Sequence, residues 1–214
     1  MRRQHRRAEI DAHNATDPVI RRGLAMMPVK FGISFNLPSL NQAGALVHVY
    51  QDGSVHLNHG GTEMGQGLFV KVAQVVAEVF QLDIEAVKIT ATHTGKVPNT
   101  SPTAASTGSD LNGMAAFKAA TAIRDRMTPV AARHFDVPQD EIVFREGRVH
   151  AGNRSISFAE LARMSWAERV SLSEAGHYAT PKIHWDRASG KGRPFYYYAY
   201  GAACSEVSVD TLTG

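Results

Sequence analysis

The sequence predicts an α+β fold, and three observations carry that prediction. Alternating apolar and polar residues flank an Asp52-Gly53 pair, the strongest short-range signal for a β-hairpin. A strand, a loop of small residues and a helical pattern then follow one another twice, with the two helices at about 67–80 and 111–127. A strand–turn–strand pattern and a capped helix come next, at 141–169. No sequence repeat of fixed period accompanies this plan, yet it suggests duplicated α+β units.

The elements follow in chain order. Residues 6–15 read as a helix in a basic N-terminal segment, 1–20. Residues 27–37 (MPVKFGISFNL) are extended, with Pro28, Gly32 and Pro38 breaking helical alternatives. Residues 44–60 form the hairpin. The helix at 67–80 carries Leu68, Val72, Val75, Val76 and Val79 at helical spacing. VKITATHT, 87–94, reads as a strand, and KVPNTSPTAASTGSD leads into the second helix. EIVFREGRVHAGNRSISF reads as strand, turn and strand. Ser157 then serves as N-cap, with Glu160 completing a capping box. The run from Gly192 to Gly214 is a closing strand ending in a turn, where a further hairpin partner is expected.

Composition narrows the function classes. With 214 residues and 43% hydrophobic content, the chain is long enough for one large or two modest cores. No apolar run approaches a membrane span, and the basic N-terminus lacks a signal-peptide centre. The one cysteine, Cys204, excludes an internal disulfide and a cysteine-cage zinc site, and points to a cytoplasmic, reducing setting. The excess of positive charge is concentrated at Arg2, Arg3, Arg6, Arg7, Arg21 and Arg22. No aromatic or basic stripe continues from it, so nucleic-acid binding is not expected.

The chemistry concentrates in two loops. The first, HGGTEMGQGL, has glycines at the spacing of a phosphate loop, but Gln66 stands where such a loop carries lysine. A nucleotide-hydrolysing site is therefore not expected. Two readings stay open: a cluster of backbone amides plus the Gln66 amide for a polar heterocycle, oxo group or single phosphate, or a tight turn that needs glycine. The second loop crowds Thr100, Ser101, Thr103, Ser106, Thr107 and Ser109 before a helix, more hydroxyls than one N-cap by Ser109 or Asp110 requires. Ala104, Ala105 and Gly108 allow close approach to the backbone. The two loops can converge on one anionic ligand. Glu63 reads as a helix-start acid, Cys204 as a small buried residue, and Phe35 as core. His56 and His59, three apart in a strand, point to opposite faces and do not form a metal pair.

The runs KFGISF, NQAGALVHVYQDGSVHLNHGGTEMGQGL, PNTSPTAAS and YGAACSEV resemble the xanthine dehydrogenase/aldehyde oxidase family of molybdenum hydroxylases. The resemblance covers about 21–214 and is weakest over 128–169. It implies repeated β-β-α-β units with mixed and antiparallel sheets, residues 21–214 forming part of a molybdenum-cofactor-binding domain. It implies that Met64, Gly65, Gln66 and Lys71 line the molybdopterin, with Gln66 toward the oxo or pterin side. Thr103, Ala104, Ala105 and Ser106 would lie against the metal, the Ala105 backbone nearest it, with Ser109 at the pterin or its phosphate and Cys204 close by. Phe35 matches a phenylalanine that sandwiches a flat purine, and Asn36 stands where relatives usually carry a substrate-contacting threonine. Gly108 replaces a hydroxyl of some relatives.

KFGISF and SPTAAS place the chain nearer the branch oxidising hypoxanthine and xanthine to urate, with water as the oxygen source. An aldehyde oxidase-type enzyme and a non-catalytic phosphate- or nucleotide-binding module are the alternatives. The general-base glutamate segment and the cysteines for iron–sulfur clusters are not in this sequence. The resemblance thus implies an internal piece of a large subunit, inactive alone and prone to self-association. Its partners would be the remainder of the large subunit, an iron–sulfur/FAD subunit or domain and the purine, with no nucleic acid or membrane.

Overall fold

The computed structural model describes residues 2–90 and 92–214, the side chains of Arg2 and Arg3 excepted. The chain divides into two compact units: residues 1–32 with Tyr197–Gly214, and Ile33–Tyr196.

The chain opens with α1 (Arg2–Thr16) and β1 (Ile20–Ile33). The corner between them is made by Asp17, whose carboxylate accepts from the amides of Ile20 and Val19 at 2.9 Å each. Those two bonds hold its pKa below the usual carboxylate range.

The second unit begins with the predicted hairpin, β2 (Gln42–Val49) and β3 (Val55–His59), paired from Val49↔Val55 to Ala45↔His59. Gly53 takes φ +83 in the turn, and the Asp52 carboxylate accepts from the Ser54 amide. Helix α2 (Leu68–Phe80) then carries the chain back to β4 (Val87–Ile89), which lies parallel to β3 and completes a β-β-α-β unit. The strand expected over 87–94 is thus confined to three residues; within its remainder, Ala91 lies outside the described residues.

The long α3 (Gly108–Phe135) follows. It was expected to end near 127, but it runs through Pro129, which lacks an amide to donate. Burial of Val130, Ala131 and Phe135 extends the apolar face of Ile123 and Met127 past the proline. That burial outweighs the local cost.

A three-stranded antiparallel sheet follows, β5 (Ile142–Arg145), β6 (Arg148–Ala151) and β7 (Arg154–Ser157). The sequence pattern showed two strands; Gly152, at φ +61, turns the chain into the third. Helix α4 (Phe158–Ala167) has the predicted capping box between Ser157 and Glu160. Strand β8 (Ser173–Ala179) returns to pair antiparallel with β2, giving the mixed sheet order β4-β3-β2-β8. A short hairpin, β9 (His184–Asp186) with β10 (Lys191–Arg193), precedes β11 (Tyr197–Asp210).

Strand β11 pairs with β1 in the first unit. There the Arg6 guanidinium holds the Glu206 carboxylate through two bonds, at 2.5 and 2.7 Å. The bonds to Arg6 keep the Glu206 pKa below its ordinary range. The tyrosines of this closing segment, Tyr196, Tyr197, Tyr198 and Tyr200, are exposed.

The core of the second unit joins one face of the four-stranded sheet (Ala45, Val47, Leu57) to α2 (Leu68, Val72, Val76, Phe80) and α3 (Ala115, Ala119, Ile123, Met127). The alanine face of α3 lets it lie close to β8. A Cβ added to Gly176 would stand 2.0 Å from the Ala115 carbonyl oxygen. Packing this tight holds α3 against β8 and so positions the loop that leads into it. No helix among the described residues is long and apolar enough to cross a membrane.

Candidate functional site

The first loop leaves β3 at His59 and enters α2 at Leu68. His59 is buried, and its Nδ1 accepts the Gly61 amide at 3.1 Å. This bond places the imidazole proton on Nε2, which has no partner among the described residues. The ring also meets Phe69 of α2 edge-on, with centroids 5.2 Å apart. Burial pushes the His59 pKa down to about 4, so the ring is neutral at physiological pH.

Glycines 60 and 61 are required by close packing. A Cβ on Gly60 would come within 2.1 Å of Thr100 Cγ2, and one on Gly61 within 2.6 Å of Leu68 Cδ2. Gly65 and Gly67 are required by conformation, at φ +95 and +73 with nothing crowding them.

The second loop is tied to the first and to the sheet. Thr92 Oγ1 donates to the His59 carbonyl, and the Ser101 amide donates to the Gln42 carbonyl. The Thr62 amide donates to Thr103 Oγ1 at 2.9 Å, joining the two loops directly. At the tip, Ala105 and Ser106 stand side by side at φ +52 and +56, a region that non-glycine residues seldom occupy. Helix α3 starts at Gly108, so Ser109 and Asp110 lie in its first turn and neither is the cap. Thr107 occupies the cap position without bonding the helix, its hydroxyl donating to the Ala104 carbonyl instead.

Between the loops lies a cavity of about 500 Å³, lined by Met64, Gln66, Leu68, Lys71, Thr103, Ala104, Ser106, Gly108 and Ser109. Seven residues picked from sequence thus share one wall system. Gly65 and Ala105 belong to the same loops without lining it. The side chains of Lys71, Ser106 and Ser109 make no hydrogen bond or ion pair among the described residues. A cation and two hydroxyls held at a cavity with unused bonding capacity fit a pterin that bears a phosphate.

Gln66 is folded back on its own loop: its Nε2 donates to the Thr62 carbonyl and its Oε1 accepts the Met64 amide. Glu63, singled out from sequence only as a helix-start acid, does more than that. One carboxylate oxygen accepts from the amides of Gly65 (2.9 Å) and Gly67 (3.0 Å), and the other from Phe69 (3.1 Å). These bonds, that from Phe69 foremost, hold its pKa below the ordinary range.

Phe35 and Asn36 lie elsewhere on the unit and do not line the cavity. Buried Asn41 clamps the Phe35 backbone, accepting its amide at 2.7 Å and donating to its carbonyl at 2.9 Å. Phe35 is half-buried and Asn36 exposed. Cys204, expected to be buried, is exposed on β11 in the other unit, because a two-stranded ribbon covers little of its own surface. His48 and His56 stack across β2 and β3, and no group of three or more metal-ligating side chains occurs among the described residues.

A mixed sheet, two loops joined at Thr62–Thr103 and one cavity between them define a cofactor-cradling α+β domain. The whole chain, residues 1–214, matches the molybdopterin cofactor-binding domain, and the protein belongs to that family. It is 50% identical over 209 residues to a xanthine dehydrogenase of Oryza sativa subsp. japonica, 98% of this chain and 14% of that protein. It is 45% identical over 208 residues to one from Dictyostelium discoideum, 96% of this chain and again 14% of the relative. Its fold is similar to that of quinoline 2-oxidoreductase from Pseudomonas putida 86, with a TM-score of 0.81 at 19% identity over 99% of this chain and 27% of the other. The chain therefore spans about one seventh of the length of the xanthine dehydrogenases it matches.

Proposed function

We propose that this chain supplies part of the molybdopterin cradle of a molybdenum hydroxylase that oxidises hypoxanthine and xanthine to urate. The observation that carries the reading is the junction of the two loops around one cavity, marked by the Thr62–Thr103 bond. Bound molybdopterin would supply the metal centre for oxygen insertion and electron removal. The residues of this chain do the holding. Lys71, Ser106 and Ser109 offer a cation and hydroxyls to the cofactor's polar groups, and Thr103 and Ala104 line the same cavity. Phe35, whose backbone Asn41 holds, and Asn36 would take the flat purine. Ala105, on the same loop, would present its backbone toward the metal. Iron–sulfur clusters and FAD in a partner domain or subunit carry the electrons away, in the cytoplasm. Residues 21–214 would serve as part of the cofactor-binding domain. A nucleotide module built on the first loop is disfavoured, because the carboxylate of Glu63 already takes the amides a phosphate would need.

The test is a graft. Residues 1–214 replace the matching stretch of the rice xanthine dehydrogenase, and molybdenum, flavin and iron contents are measured with xanthine and aldehyde turnover. The proposal predicts a full molybdenum complement and turnover of xanthine over aldehydes. A folded graft that holds flavin and iron but no molybdenum would overturn it, and turnover of aldehydes alone would favour an aldehyde oxidase-type enzyme.

A further inference from the structure

The start of α2 has the form of an anion site, and the chain fills it from within. A helix N-terminus leaves amides without intrahelical partners and carries partial positive charge. Here the amides of Gly65, Gly67 and Phe69 all point at one group, the Glu63 carboxylate. Gly65 and Gly67 adopt left-handed conformations, which turn their amides inward. Gln66, between them, is held by the Thr62 carbonyl and the Met64 amide, on the same ring of backbone. Remove the carboxylate, and the amides of Gly65, Gly67 and Phe69 lose their acceptor.

We propose that Glu63 is a built-in anion: a positioning residue that organises the glycine loop, places Gln66 at the cavity wall, and denies the α2 N-terminus to external anions. An anionic ligand entering the cavity is thereby left the Lys71 ammonium and the hydroxyls of Ser106 and Ser109, which line it. The extension to molybdopterin rests on the function proposed above; the organisation of the loop does not. Three charge-assisted bonds from one carboxylate are stronger than the neutral bonds a glutamine could offer. The role is geometric, and Glu63 need transfer no proton.

The test uses the full 214-residue chain without cofactor, so its failure is separate from any failure of the cofactor reading. Isotope-labelled wild type, Glu63→Gln, Glu63→Asp and Glu63→Ala are compared by amide hydrogen exchange and by titration with inorganic phosphate. In Glu63→Gln the amides of Gly65, Gly67 and Phe69 are expected to exchange about tenfold faster or more. Phosphate is expected to shift those three amides in Glu63→Ala and Glu63→Gln but not in wild type, with Glu63→Asp restoring exclusion in part. The resonances of the β2–β3 hairpin report folding; should the alanine variant fail to fold, the isosteric glutamine variant decides. Unchanged exchange in a folded glutamine variant, or phosphate engaging the same amides in wild type, overturns the proposal.

Discussion

Acidification is the perturbation that reaches the first loop most directly. The imidazole of His59 is buried and neutral, with a pKa of about 4 in the fold against an ordinary value of 6.5. Between those values the unfolded chain binds the proton and the folded chain does not. Stability is therefore full above about pH 6.5, falls as pH drops toward 4, and from this group falls no further below that. Linkage gives a loss of about 2 kcal/mol at pH 5 and about 3 kcal/mol in all. Protonation also removes the Nδ1 acceptor of the Gly61 amide, so the loop loosens as the fold weakens. The assay is urea unfolding from pH 7.5 to 4.5 for wild type and His59→Gln, with the His59 ring followed by NMR. Burial shifts His56 in the same direction, so the difference between the two proteins isolates His59. The wild type is expected to lose about 2 kcal/mol more than the variant between pH 7 and 5. Parallel pH profiles, or a His59 titration midpoint near the ordinary imidazole value, would refute the reasoning.

Other perturbations test the packing that brings the loops together. Gly176→Ala should destabilise by about 3 kcal/mol or more, seen as loss of a cooperative thermal transition, because its Cβ would stand 2.0 Å from the backbone oxygen of Ala115. Gly61→Ala meets Leu68 and Asn112 at 2.6 and 2.7 Å and should cost about 1–3 kcal/mol in urea unfolding. Gly65→Ala meets nothing within 4 Å, so only its φ of +95 matters and about 1 kcal/mol is expected. Ala105→Gly should leave stability unchanged or raise it by less than about 1 kcal/mol, since relief of the left-handed strain offsets the added freedom of the unfolded chain.

How much of this was legible in the sequence depended on the range of the interaction. The Asp52-Gly53 turn, the apolar stripe of α2 and the Ser157–Glu160 capping box are set within a few residues, and the sequence pattern displays them. The course of α3 through Pro129 is decided by burial of Val130 and Phe135, which no local signal reports. The pairing of β8 with β2 joins residues some 130 positions apart, such as Gln42 and Ala179. At the site, the crowding of hydroxyls and glycines singled out two loops, and the structure joins them through the Thr62–Thr103 bond. The work of Glu63 was hidden, because a lone acid before a helix has the same sequence signature whether it caps one amide or organises a whole loop. The burial of His59 was hidden too. One cue was present: it closes a strand in which Val55 and Leu57 mark the buried face.

The central claim is that both loops enclose one molybdenum-bearing ligand, and anomalous diffraction at the molybdenum edge tests it most directly. For crystals of the grafted enzyme described above, the account predicts one peak flanked on one side by Gln66 and on the other by the segment from Thr103 to Ser106. A peak bordered by only one of these loops, or one outside the cavity altogether, would contradict it.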